Sequence, residues 1–203
     1  MRRKSVKRRR RRPEEAEAEI LDAAERFLRK RPFRDLQVTN LMDATGLRRS
    51  SFYHYFRDRH DIVVRLVEKL AAELTPMNEM WFRDEQDPAA SLRVGYRGVG
   101  EFWAKHGPVL RAIAEAAIHD RKVEKAHRAL VDRIAQGTAD RIRVDVAHGR
   151  TAPLDADATA RALITMSEHF LNERLGGPGR RDWRPAIETL SRIWLRTLYG
   201  VPE

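Results

Sequence analysis

The side chains best equipped for chemistry are gathered in the run GLRRSSFYHYF, residues 46 to 56. Arg48, Arg49, Ser50, Ser51, Tyr53, His54 and Tyr55 supply guanidinium, hydroxyl, phenol and imidazole groups with no acid among them. Such a set suits hydrogen bonding to phosphates and base edges better than the making or breaking of bonds. Arg48 or Arg49 can meet guanine bidentately, a contact that discriminates by about 1–3 kcal/mol against the wrong base. Ser50 and Ser51 are short enough to let a helix backbone approach a groove. If the run is helical, Leu47, Phe52 and Phe56 form an apolar docking stripe and the polar groups face outward. Tyr55 and Arg59 are candidate phosphate contacts, Arg59 because it stands near a helix N-terminus whose dipole also attracts anions.

Other chemistries are poorly supplied. With no cysteine in the chain, a metal would have to use His106, His119, His127, His148 or His169 with carboxylates. Glu115 and His119 share a helix face at i, i+4 and His127 follows two turns on, a pairing more typical of polar surface. No Gly-rich phosphate loop, serine elbow or Ser-His-Asp ordering can be placed. The expectation is a protein that is not an enzyme and takes no cofactor or metal.

The elements that must hold the polar run are legible on either side of it. Pro13 precedes EEAEAEILDAAERFLRK, with Ile20, Leu21, Ala24, Phe27 and Leu28 at helical spacing, acids in the first turn and arginines at the end. VTNLMDATG gives a short helix with Val38, Leu41 and Met42 inward, stopped by Gly46, which tolerates a left-handed turn. The run from 47 to 56 is the next helix. Asp58 can cap a fourth, apolar at Ile62, Val63, Leu66, Val67 and Leu70, with Pro76 ending or kinking it and continuation to about residue 82 otherwise. Further helices are expected over 88–105, 108–118, 120–147, 155–174 and 183–199, with breaks at 106–108, 149–153 and 176–179. No β-periodic run or internal repeat appears, so the fold class is all-α, about nine helices.

Nine of the charges behind the formal net +10 lie in the first twelve residues, with no acid between them. Such a run repels itself and has no apolar face, so residues 1–13 are expected to be a disordered basic arm. It is either a solvated tail or an arm that follows phosphates or enters the minor groove, gaining affinity by counterion release. Taken alone it is compatible with a nonspecific nucleic-acid-binding or architectural protein. With no cysteine, no apolar run near ~18 residues and no signal-type apolar stretch, the expectation is a cytoplasmic protein without a membrane partner.

Residues 17–70 resemble the DNA-binding domain of the TetR family of bacterial regulators, with Phe52, Tyr53, Tyr55, Phe56 and Arg59 of FYHYFRDRHDIV at that family's positions. The resemblance implies a homodimeric repressor that binds a palindromic operator in double-stranded DNA, one recognition helix per half-site, and is released by a small ligand in a C-terminal domain. It divides the chain into the arm, a helix-turn-helix domain over 14–60 and a ligand-binding and dimerisation domain over 61–203. Gln37 departs from the usual threonine or serine that caps the second helix and touches a phosphate. Thr39 or Asn40 would then take over. Met42 replaces a small alanine, and Arg59 a lysine.

The stretches GEFWAKHGPVLRA, ARALITMSEHF and IETLSRIWLRTLYG are similar to the branch of this family that contains the ethionamide-resistance repressor. That branch carries an apolar tunnel for small hydrophobic effectors. The resemblance implies a pocket at Phe102 and Trp194, with Tyr96 and Trp103 nearby and Ile164 and Ser167 at the positions of paired asparagines. The corresponding pocket tryptophans are missing near Ala126 and Arg133. From periodicity alone, Phe102, Trp103, Ile113, Leu163, Met166, Phe170, Leu190 and Trp194 are an apolar stripe that serves either as core or as pocket wall. The last two helices can pair with their copies as a four-helix bundle.

Overall fold

The structure is a computed structural model and describes residues 12–84, 86–177, 179 and 181–200. Among these residues there are eight α-helices and no strand: α1 Pro13–Leu28, α2 Val38–Thr45, α3 Arg49–Tyr55, α4 Arg59–Arg83, α5 Pro88–His119, α6 Arg121–Ala147, α7 Ala156–Leu175 and α8 Arg184–Tyr199. A 3-10 turn, Phe33–Asp35, leads into α2. The all-helical reading holds, and most boundaries fall within two residues of expectation. The basic arm lies outside the described residues except for Arg12 and Pro13.

Local chemistry explains the starts. Asp58, Asp87, Asp120 and Asp155 each accept backbone N–H groups at the first turns of α4, α5, α6 and α7, satisfying donors that have no partner within the helix. At α2 the poor cap Gln37 is compensated by Asn40, whose Oδ1 accepts from the Gln37 N–H at 3.2 Å, the reciprocal half of a capping box.

Small helices α1 to α3 form one end of the molecule. α1 crosses α2 and the first half of α4, while α4 to α8 make the bundle, with α4 against α5 and α6, α6 against α7, and α5 against α8. A single apolar core runs from Ile20, Phe52 and Leu66 through Phe102 and Ile113 to Ile142 and Leu190. The expected domain boundary at residue 60 falls inside α4, so one continuous helix serves both ends.

The break expected at 106–108 does not occur: α5 is a single helix of 32 residues that passes through Pro108. Tertiary contacts at this point override the helix-breaking pair. His106 is 1% exposed and hydrogen-bonded on both sides. Gly107 sits so close to the end of α7 that a Cβ would collide with the Leu175 carbonyl. Glycine is thus required here for a helix crossing.

Candidate nucleic-acid interface and effector cavity

The pair α2 and α3 is joined by Gly46 at φ +64°, a left-handed conformation that side chains with a Cβ rarely adopt. Thr45 staples the turn: its hydroxyl donates to the Met42 carbonyl at 3.1 Å and accepts from the Leu47 N–H at 3.3 Å. Phe52 and Phe56 are fully buried, and Leu47 packs beside them half-buried. The docking stripe is where the spacing put it. Arg48, Arg49, Ser50, Tyr53 and His54 are exposed, Tyr53 by 56%, and Thr39 is exposed at the start of α2.

Three expected contacts are placed differently. Tyr55 is half-buried and packs on the core, its ring 6.5 Å from that of Phe56. It stands three residues after Phe52, so helical geometry sets it on the flank of the docking stripe rather than opposite it. Ser51, immediately before Phe52, is likewise half-buried. Arg59 lies over the Phe33 ring at 5.1 Å, and its Nη1 donates to the carbonyls of Arg34 and Leu36, both at 3.3 Å. It therefore ties the start of α4 to the turn before α2. The sequence reading missed that turn and hence the carbonyls that claim this guanidinium.

The bundle holds a partly open apolar cavity of about 140 Å³, close to the size that holds a benzene-like molecule. Tyr96, Phe102, Trp103, Ile164, Ser167 and Trp194 line it. The Ser167 hydroxyl accepts from Trp194 Nε1 at 3.0 Å and lies 3.2 Å from the Tyr96 hydroxyl, so these three polar atoms satisfy one another inside the wall. Burial pushes the Tyr96 phenol far above its ordinary value, which keeps it neutral.

Phe170 is not part of the cavity. Its ring packs under the Arg174 guanidinium at 5.5 Å. The cavity face of α7 is Ile164, Ser167, Glu168, Leu171 and Asn172, and at about 100° per residue Phe170 points roughly a third of a turn away. The sequence reading also missed Trp81 and Met77 of α4, which line the cavity because α4 runs its full length past Pro76. His127 meets Glu168 at 2.7 Å on the cavity rim, rather than joining Glu115 and His119. Among the described residues no group of three or more His, Asp or Glu is arranged to hold a metal.

Two buried ionic clusters flank the cavity. At the α1 end, His106 of α5 places Nδ1 2.9 Å from Glu25 of α1 and Nε2 3.2 Å from Glu73 of α4. Glu25 also accepts from Arg29 at 2.6 Å and Lys69 at 3.1 Å, and Lys105 reaches Glu73 at 2.7 Å. The hydrogen bond from His106, aided by Arg29 and Lys69, outweighs burial and holds the Glu25 carboxyl well below the usual carboxylate range. At the opposite end Asp145 accepts both arms of Arg141 at 2.9 Å, Arg150 at 2.7 Å and the Tyr199 hydroxyl at 2.8 Å. Trp81 Nε1 donates to that hydroxyl at 2.9 Å.

An all-helical chain with a glycine-turn helix pair, an exposed basic and aromatic third helix and an apolar cavity in the bundle behind it has the architecture of a helix-turn-helix DNA-binding regulator. The family comparisons agree with it. Residues 92–200 match the model of the transcriptional regulator EthR C-terminal domain, and residues 20–66 match that of the bacterial regulatory proteins of the tetR family. The chain belongs to the TetR family of transcriptional regulators, in its EthR-like branch. It is 26% identical over 194 residues to the HTH-type transcriptional regulator EthR of Mycolicibacterium smegmatis, covering 92% of this chain and 88% of that one. Against EthR of Mycobacterium tuberculosis the identity is 27% over 195 residues, with the same coverage. Among solved structures, regulatory protein TetR from Rhodobacter sphaeroides superposes with a TM-score of 0.72 at 21% identity, covering 90% of this chain and 98% of that one. The fatty acid degradation regulator FadR from Bacillus halodurans gives 0.76 at 12% identity over 92% and 97%. No helix among the described residues is long and apolar enough to cross a membrane.

Proposed function

We propose that this regulator is a homodimeric repressor that reads a palindromic operator with α3 in the major groove and leaves it when a small, mostly apolar effector fills the cavity. The observation that carries the reading is the division of α3 into a buried stripe, Phe52 and Phe56, and an exposed front of Arg48, Arg49, Ser50, Tyr53 and His54. Arg49, Ser50, Tyr53 and His54 face base edges, while Arg48, Ser51, Thr39 and the outer edges of Tyr55 and Arg59 meet phosphates. Residues 14–60 are the DNA-binding domain, residues 61–203 bind the effector and the second copy through α7 and α8, and residues 1–13 add sequence-independent affinity. Release follows if the effector prefers the conformation whose half-site spacing does not fit the operator.

The test is selection of duplexes from a random pool, followed by footprinting of the enriched sequence. Replacing Arg49 and Tyr53 together by alanine is expected to abolish protection; unchanged protection would overturn the assignment of α3. Removal of residues 2–12 should weaken binding to random and selected duplexes alike, leave the preference intact and flatten the salt dependence by about 0.9 for each phosphate that is no longer neutralised.

A further inference from the structure

His106 takes no part in the DNA-facing surface or in the cavity wall, yet it is 1% exposed and both its ring nitrogens face carboxylates. A neutral imidazole has one N–H, so in that form one nitrogen would turn a lone pair toward a carboxylate. Two hydrogen bonds, from Nδ1 to Glu25 and from Nε2 to Glu73, require the imidazolium. The charged groups around it come from three helices: Asp22 and Glu25 on α1 with Arg29 at its C-cap, Lys69 and Glu73 on α4, and Lys105 on α5. Lys69 bridges Asp22 and Glu25, while Lys105 serves Glu73. His106 is the cation that Glu25 and Glu73 have in common, and it draws α1 onto α5. One turn earlier on α5, the Phe102 ring lies 5.0 Å from the imidazole and lines the cavity.

We propose that His106 is a positioning residue for DNA binding: as an imidazolium between Glu25 and Glu73 it seats α1, and with it the helix-turn-helix, against α4 and α5, and operator affinity falls when that proton is lost. The proposal rests on the operator-binding reading above. Both hydrogen bonds exist only when both ring nitrogens carry a proton, so the clamp is present with the imidazolium and absent with the neutral ring. The Glu25 carboxyl is the matching half, since it is held well below the usual carboxylate range and is charged near neutral pH.

The experiment uses the full chain and a duplex enriched from a random pool, with affinity measured between about pH 6 and about pH 8.5. Wild-type affinity is expected to fall roughly fivefold or more across that range. H106Q is expected to bind weakly throughout, with a flatter profile, and E73Q to move the decline to lower pH. His54 and His60 also lie in the DNA-binding end, so the diagnostic is the difference between variant and wild type. ¹⁵N spectra of the His106 ring are expected to show both nitrogens protonated at the acid end. An H106Q profile that matches wild type in level and slope, or a His106 ring that stays a single neutral tautomer over the whole range, would overturn the proposal. Should H106Q not fold, E73Q and the ring spectrum decide. A wild-type chain that enriches no duplex overturns the operator reading and this proposal together, and is recognised because the unsubstituted protein then binds nothing selectively.

Discussion

Asp145 and His106 anchor clusters of similar size at the two ends of the bundle, but from opposite materials. Asp145 is surrounded by two guanidinium groups and a phenol that burial and Asp145 push well above its ordinary range. Guanidinium does not lose its proton at any pH a protein survives, so this end is closed across the neutral range. His106 is instead an imidazole between two carboxylates, on the seam where α1 meets the bundle. On the proposal above, a fixed pin at one end and a clasp that needs a protonated imidazole at the other would let the DNA-binding end change its seating while the Asp145 end holds. Buried charge at the seam where α1 meets the bundle would then have a different use from buried charge inside the scaffold.

The comparison is broken most severely by removing Asp145. Asp145→Ala leaves Arg141, whose side chain is 2% exposed, without its carboxylate, and should cost about 3–5 kcal/mol in urea unfolding. The folded fraction should keep its operator affinity; a large loss of affinity would show that the two clusters do not divide the labour. Glu25→Gln at the other end should cost less, about 1–3 kcal/mol near neutral pH, while also weakening operator binding. Because the Glu25 carboxyl is held below its ordinary value of 4.5, the stability it adds is complete above that value and is lost as pH falls through its folded value. Urea midpoints of wild type and E25Q should accordingly converge in acid, and a constant gap would contradict the cause assigned to the lowering. The smallest effect is expected for Tyr199→Phe, about 1 kcal/mol, from loss of the bond to Asp145 and of the acceptor for Trp81. Its cost should be insensitive to pH between about 6 and about 8.

The DNA-binding end was legible because its instructions are local. Acids and arginines mark the ends of α1, Gly46 marks the turn, and Phe52 and Phe56 mark the stripe within one short run. The same local logic set Tyr55 outward, whereas it lies half-buried on the flank of the stripe, since a phenol reads as polar until its neighbour at i−3 is known to be buried. The clusters were not legible. Glu25 and His106 are 81 residues apart, and no periodicity announces which carboxylate will face which imidazole. Gly107 and Pro108 read as a break because propensity is a property of a segment, whereas the crossing with α7 that keeps α5 continuous is a property of the whole fold. Of the residues expected at a pocket, those on helix faces already fixed by core periodicity line the cavity; Phe170 shows that aromatic character without the right angle is insufficient.

The front of α3 bears on descent. Among the described residues the side chains of Arg49, Ser50 and His54 form no hydrogen bond or ion pair within the chain, whereas the stripe behind them is sealed in the core. Substitutions on such a face usually alter folding by no more than about 0.5 kcal/mol. A lineage carrying this scaffold can therefore exchange one target sequence for another while its architecture stays under unchanged selection, so the genes it governs can turn over faster than the shape that governs them.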